Sequence, residues 1–178
     1  MGVHFQRPNA GFTFVELLVV MVLAVTLYAV VLGPSEATVR KREMAQCAEH
    51  LRKLHLTLSL YANEHNGRYP ALKDARRTEE VFRLLVPQYT SDETFLACAK
   101  EGGRYTYAMG LKKTDGVHLV AADRLTSHLL KPGAPLFSKH GNHGESGNLL
   151  FTDGHVEVGG TNATRDLSLP PEVSVLNP

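Results

Sequence analysis

Histidine and aspartate side chains that suit metal coordination are concentrated in the second half of the chain. The best candidates for ligands are Asp123, His143, Asp153 and His155, because imidazole nitrogens and carboxylate oxygens bind zinc and related divalent ions. A structural interpretation competes with this one. Asp153-Gly154 between β-prone segments predicts a hairpin whose two turn residues have positive φ, and the polar side chains then order turns by hydrogen bonding. Two alternatives therefore remain at this point: the protein has no cofactor, or it binds a divalent metal ion.

Glu16 is the second chemically unusual residue, because it is the sole charge between Phe12 and Gly33. As a helix this run is about 33 Å long, enough to cross a bilayer core of roughly 30 Å. A carboxylate near hydrocarbon costs on the order of 2–3 kcal/mol unless it is paired, so a plain anchor leaves Glu16 unexplained. A signal peptide cut after Ala37 is another alternative, although the apolar stretch exceeds the usual core of such peptides.

The segment Gly11–Leu18 (GFTFVELL) resembles the cleavage and methylation motif of type IV pilins and type II secretion pseudopilins. The resemblance implies that prepilin peptidase cuts the Gly11–Phe12 bond and that the new amino terminus, Phe12, is N-methylated. It also implies a role for Glu16 in assembly. A buried carboxylate is unfavourable unless a cationic group pairs with it. The Phe12 amine of a neighbouring subunit would be such a group, and the pair would fix the axial register between subunits.

The same resemblance implies a location and a set of partners. The chain would be a single-pass inner-membrane protein with a periplasmic head, in contact with membrane lipid, and a platform protein and an ATPase would assemble it with other pilin-like subunits. Charge placement opposes this topology, since Arg40, Lys41 and Arg42 follow the helix whereas Arg7 precedes it. The net charge of +1 argues against a nucleic-acid partner.

The chain has two cysteines, Cys47 and Cys98. If the head lies outside the cytoplasm, an oxidising compartment favours a disulfide between them. Two buried free thiols are the alternative. A nucleophile paired with a base is not recognisable in the sequence, and neither is a phosphate-binding loop, which predicts a protein that is not an enzyme.

The periodicity of apolar residues predicts the elements that carry these groups. Gly33 and Pro34 should kink or melt the helix, and Ser35 should restart it. Spacings of three and four then predict an amphipathic helix that ends near Asn66-Gly67, with the stripe Met44, Cys47, Leu51, Leu54, Leu58 and Tyr61. A short helix is predicted over Thr78–Val86, strands over Tyr105–Met109, Val117–Ala121, Asn148–Thr152 and Val156–Val158, and an irregular tail from Pro170.

A second resemblance concerns the head. His143, nine further residues and Asp153-Gly154 are similar to the His-x9-Asp-Gly motif of a group of prepilin-like proteins. Cys98 and Asp123 also fit that group, although the proline that usually follows the cysteine is missing. This resemblance refines the expected fold more than the expected function.

Together these features predict an α+β protein in which a long N-terminal helix, half membrane-embedded and half amphipathic, packs on a small antiparallel sheet in a pilin-like lollipop. The predicted parts are a leader (1–11), a membrane and assembly helix (12–33), an amphipathic helix (34–66) and an extracytoplasmic head (67–178). The expected function is that of a structural subunit of a type IV pilus or a type II secretion pseudopilus. The alternative is a membrane-tethered module that binds a metal or ligand, or hydrolyses a substrate, through the His/Asp cluster.

Overall fold

The computed structural model describes residues 11, 13–33, 35–126, 135–160, 167 and 169–178. The first ten residues of the predicted leader, Phe12 and Pro34 lie outside this part of the chain. The protein divides into two compact units, Met1–Val39 and Arg40–Pro178.

The first unit is dominated by helix α1, Phe14–Leu32. Thr13 caps its N-terminus, and Gly33 ends it with φ of 44°, in the left-handed region that glycine adopts at little cost. Every residue of α1 is exposed, although almost all are large and apolar. Within the described residues, α1 is the one helix long and apolar enough to cross a membrane.

Helix α2 spans Glu36–Glu64. Ser35 caps it, since the Thr38 N–H donates to Ser35 Oγ at 3.4 Å. The gap between α1 and α2 lies where Gly33 and Pro34 were predicted to interrupt the helix. The C-terminal end matches the predicted signal: Asn66 and Gly67 have φ of 55° and 76°, and the Gly67 N–H donates to the Ala62 carbonyl at 2.8 Å.

One face of α2 enters the hydrophobic core of the second unit. Its buried residues are Cys47, Leu51, Leu54, Thr57, Leu58 and Ala62, which follow the predicted stripe. Met44 and Tyr61, at the two ends of that stripe, are only partly buried. The buried face shares its cluster with Tyr105, Tyr107 and Leu150 of the sheet.

The sheet has five antiparallel strands in the order β4-β3-β2-β1-β5. They are β1 (Tyr105–Met109), β2 (Leu119–Asp123), β3 (Ser146–Phe151), β4 (Val156–Gly160) and β5 (Ser174–Leu176). Side chains of β3 alternate between faces: Leu150 lies in the cluster with α2, whereas Leu149 and Phe151 lie in a second cluster around Phe137. The predicted α+β class, with an amphipathic helix on a small antiparallel sheet, is confirmed.

Local predictions needed correction in several places. Strand β3 begins two residues earlier and ends one residue earlier than predicted, and β4 extends two residues further than predicted. Strand β2 begins at Leu119, two residues later than predicted. The helix predicted over Thr78–Val86 is α3 (Thr78–Phe82) followed by a 3₁₀ turn (Arg83–Leu85), a common way for a helix to tighten its last turn. The tail is not irregular, because β5 pairs with β1 and places Leu176 opposite Tyr107.

The β3–β4 hairpin forms as predicted, but its turn differs. Gly154 has φ of 89°, whereas Asp153 is not among the described residues with positive φ. The Gly154 N–H donates to the Phe151 carbonyl at 2.9 Å. This arrangement fits a turn at Phe151–Gly154 that ends in a left-handed glycine, rather than a two-residue turn with both central residues left-handed.

Candidate functional site

Glu16 lies in the first turn of α1, three residues after the cap. The Glu16 N–H donates to Thr13 Oγ1 at 3.3 Å, and the Leu17 N–H donates to the Thr13 carbonyl at 3.1 Å. Thr13-x-x-Glu16 therefore has the spacing of a capping box, in which a glutamate supports the start of a helix. A carboxylate here also faces the positive end of the helix dipole.

Of the other residues in the predicted processing motif, Gly11 is exposed, and Phe12 lies outside the described residues. The surface that follows them is apolar on all sides. Phe14, Val15, Leu17 and Leu18 are each more than half exposed. Such a surface needs lipid or other helices around it.

In the second unit, the structure brings Asp123 and His143 together in the interior. Asp123 ends β2, His143 precedes β3, and their side chains are 1% and 0% exposed. Nε2 of His143 lies 3.6 Å from Oδ2 of Asp123 and 3.2 Å from Sγ of Cys98. Burial lowers the pKa of His143, while the charge of Asp123 acts in the opposite direction.

Cys98 is joined to Cys47 by a disulfide with a Cα–Cα distance of 5.1 Å. The bridge connects α2 to the loop before β1, and both cysteines are buried. The backbone also contacts the bridge, since the Ala99 N–H donates a hydrogen bond to Cys47 Sγ at 3.0 Å. The pairing favoured by the sequence for an oxidising compartment is thus present in the structure.

Asp153 and His155 form a separate, exposed pair on the β3–β4 turn. Oδ1 of Asp153 lies 2.6 Å from Nδ1 of His155 and accepts the His155 N–H at 3.1 Å. Slight burial acts to raise the pKa of Asp153, but these hydrogen bonds outweigh it and hold the pKa below its usual value. The ring of His155 also stacks on Phe151 at 4.3 Å between centroids, so this pair orders the hairpin.

The four predicted metal ligands therefore do not form one site. Asp123 bonds to Asn148 near the start of β3, whereas Asp153 follows the end of that strand. The extended strand from Asn148 to Phe151 separates them by about 10 Å, and Asp153 lies beyond it in the turn at Phe151–Gly154. Proximity in sequence suggested one cluster, but an extended strand places the two His/Asp pairs at opposite ends.

The sequence did not predict the structural roles of Asn148, Asn142 and Thr13. Asn148 Nδ2 bridges Asp123 Oδ2 at 2.8 Å and the Met44 carbonyl of α2 at 3.1 Å, and Asn142 Nδ2 donates to Asp123 Oδ1 at 3.1 Å. An asparagine that bridges a helix and a strand leaves no periodic signal. The capping role of Thr13 was visible in the Thr-x-x-Glu spacing but was not recognised.

Comparison with known proteins bears on the N-terminal unit. A family model described as the prokaryotic N-terminal methylation motif matches residues 6–32. Comparisons with curated proteins and with solved structures found no significant match. The motif and the apolar helix α1 indicate a membrane-anchored, type IV pilin-like substrate of prepilin peptidase. The His-x9-Asp-Gly resemblance of the head stays a prediction.

Proposed function

We propose that this protein is a pilin-like structural subunit, and not an enzyme, of a type IV pilus or a type II secretion pseudopilus. Prepilin peptidase cuts between Gly11 and Phe12, and the Phe12 amine is N-methylated. A platform protein and an ATPase then move the subunit from the inner membrane into a filament with other pilin-like subunits.

One observation carries this proposal. The methylation motif at residues 6–32 coincides with a helix whose sole charge is Glu16 and whose apolar residues are exposed on every side. In a monomer this helix is suited to lipid. In a filament the same surface packs against neighbouring helices, and Glu16 meets the Phe12 amine of another subunit. A buried polar pair of this kind fixes register because misaligned arrangements leave a charge unpaired.

The disulfide supports an extracytoplasmic head. Disulfides persist in the periplasm and are rare in the cytoplasm. A periplasmic head is also the topology that filament assembly requires, in spite of the basic residues Arg40, Lys41 and Arg42.

The capping geometry offers a different explanation for the presence of Glu16. Three substitutions distinguish helix capping from charge pairing with the Phe12 amine. Glu16→Gln keeps a side chain that suits a capping box but removes the charge. Thr13→Ala removes the cap and keeps the charge. Glu16→Ala removes both the charge and the polar side chain. Each variant is expressed with the assembly machinery, and sheared filaments are compared with the protein retained in the membrane.

Charge pairing predicts that Glu16→Ala and Glu16→Gln insert into the membrane and are cleaved but are not incorporated into filaments, whereas Thr13→Ala assembles. Normal incorporation of Glu16→Gln together with failure of Thr13→Ala would assign Glu16 to helix capping. Normal incorporation of all three would contradict the assembly mechanism.

A further inference from the structure

Four potential metal ligands from four segments meet inside the second unit. They are Cys47 of α2, Cys98 of the loop before β1, Asp123 at the end of β2 and His143 before β3. One ligand atom from each lies within 4.8 Å of all the others. All four residues are buried, and none is more than 6% exposed. We propose that the reduced form of this chain binds one Zn²⁺ through Cys47 Sγ, Cys98 Sγ, Asp123 Oδ2 and His143 Nε2, so that bridge and metal are alternative occupants of one cluster.

The donor set suits zinc in type and number. Zinc is bound in tetrahedral sites by thiolates, imidazole nitrogens and carboxylate oxygens, with bonds of about 2.0–2.3 Å. Ligand atoms around such a centre are about 3.3–3.8 Å apart. His143 Nε2 already lies 3.2 Å from Cys98 Sγ and 3.6 Å from Asp123 Oδ2. The two sulfur atoms must separate once their bond is broken, whereas every pair of ligand atoms starts within 4.8 Å.

The surroundings hold the carboxylate and leave the imidazole poorly satisfied. The N–H and Nδ2 of Asn148 donate to Asp123 Oδ2 at 2.8 Å each, and Nδ2 of Asn142 donates to Oδ1 at 3.1 Å. Hydrogen bonds of this kind orient a carboxylate that binds a metal, and one of the bonds to Oδ2 must lengthen if that oxygen binds zinc. Nδ1 of His143 is buried without a hydrogen-bond partner among the described residues. Coordination at Nε2 leaves the Nδ1 N–H without a partner, so zinc binding must outweigh the free energy that this unpaired group costs.

The chemistry balances in charge and electrons. A dithiol reductant supplies two electrons and two protons to the disulfide and becomes a disulfide itself, leaving two thiols on the protein. Binding of Zn²⁺ then releases two protons as thiolate ligands form. With a neutral imidazole, the cluster carries a formal charge of −1 both as a disulfide with Asp123 and as a zinc site.

A surface cleft of about 460 Å³ supplies an approach to the cluster. Cys98, Gly103, Arg104 and Glu79 are among its lining residues. Gly103 lies close against the bridge, since a Cβ there would be 2.9 Å from Cys98 Cβ. Cys98 therefore lies at the wall of a cleft that opens at the protein surface.

The test uses the full chain in detergent, reduced with a phosphine, which becomes a phosphine oxide with oxygen from water. Co²⁺ is added without air as the spectroscopic probe, and Zn²⁺ is then added to displace it. The reduced chain should bind one Co²⁺ with thiolate charge-transfer and tetrahedral d–d bands that zinc abolishes, whereas the oxidised chain should show neither. Zinc should also raise the thermal midpoint of the reduced chain and leave that of the oxidised chain unchanged.

Matched variants identify the ligands. His143→Gln and Asp123→Asn should each weaken Co²⁺ binding by more than the roughly 10- to 100-fold that loss of an outer-shell partner costs. His155→Gln, in the exposed pair, should bind as the parent does. The proposal is wrong if the reduced parent binds no stoichiometric Co²⁺ or gains no thermal stability from zinc. It is also wrong if oxidised and reduced chains bind alike, or if well-folded His143→Gln and Asp123→Asn both bind as tightly as the parent.

Discussion

The carboxylate of Asp123 accepts both the backbone N–H and the side-chain Nδ2 of Asn148, each at 2.8 Å. The same Nδ2 donates to the Met44 carbonyl at 3.1 Å. One asparagine thus connects the end of β2, the start of β3 and helix α2, and it compensates a carboxylate with no access to water.

Replacement of this asparagine should destabilise the fold. Asn148→Ala removes one buried and one partly buried hydrogen bond and leaves Asp123 with fewer donors, which we expect to lower the free energy of unfolding by about 2–3 kcal/mol. The exposed Asn63, which accepts from Lys113, provides the control: Asn63→Ala should change it by less than about 0.5 kcal/mol. Denaturant unfolding of the full chain in detergent measures both, and equal effects of the two substitutions would refute the assigned role of Asn148.

Glycine at position 147 is required by packing. A Cβ on Gly147 of β3 would lie 2.4 Å from Cε1 of Phe137, whereas a Cβ on Gly160 of the paired strand β4 would meet nothing within 4 Å. Gly147→Ala should therefore lower the unfolding free energy by about 1–3 kcal/mol through overpacking. Gly160→Ala should have a much smaller effect in the same assay. A Gly147→Ala protein as stable as the parent would show that this face is looser than described.

The cysteines should be joined in protein taken from the cell envelope. With a chelator present and without reductant, an alkylating agent should modify neither Cys47 nor Cys98, and both should react after reduction. The double substitution Cys47→Ala/Cys98→Ala should lower the free energy of unfolding by about 2–4 kcal/mol. Two thiols that react before reduction would contradict a bridge in the cell.

Acid should weaken the β3–β4 turn through Asp153. The folded-state pKa of Asp153 lies below its ordinary value of 3.8, so its contribution to stability is present above that value and is lost as pH falls through the folded-state pKa. Asp153→Ser keeps an oxygen that can accept the His155 N–H but does not titrate. Between about pH 5 and pH 2, the stability of the parent should fall more steeply than that of Asp153→Ser. Parallel pH profiles would exclude this contribution.

Prediction from sequence was most successful where a repeating pattern spans several turns or an entire strand. The stripe of α2, its end at Asn66-Gly67 and the bounds of β1 follow directly from periodicity and turn chemistry. Strand β5 was missed because three residues are too few to show a period and its pairing with β1 depends on the fold.

The residues of the candidate sites were likewise predictable where the signal is local in sequence and unpredictable where it depends on the fold. The motif around Gly11 and Glu16 is local and could be recognised in the sequence, and a family model matches it. The Cys–His–Asp cluster depends on contacts between distant segments: His143 and Cys98 are 45 residues apart. Sequence proximity instead grouped His143 with Asp153 and His155, which the length of β3 keeps apart.

The amino terminus of the mature protein tests the central claim most directly. Protein from membranes of a strain with prepilin peptidase is analysed by mass spectrometry, beside protein from a strain without the peptidase. The account predicts that the mature chain begins at Phe12 with an N-methyl group, and that this terminus is missing without the enzyme. A chain that begins at Thr38 would indicate a secreted protein cut after Ala37, and an uncleaved chain in both strains would indicate a plain membrane anchor; either result would contradict the pilin-like function.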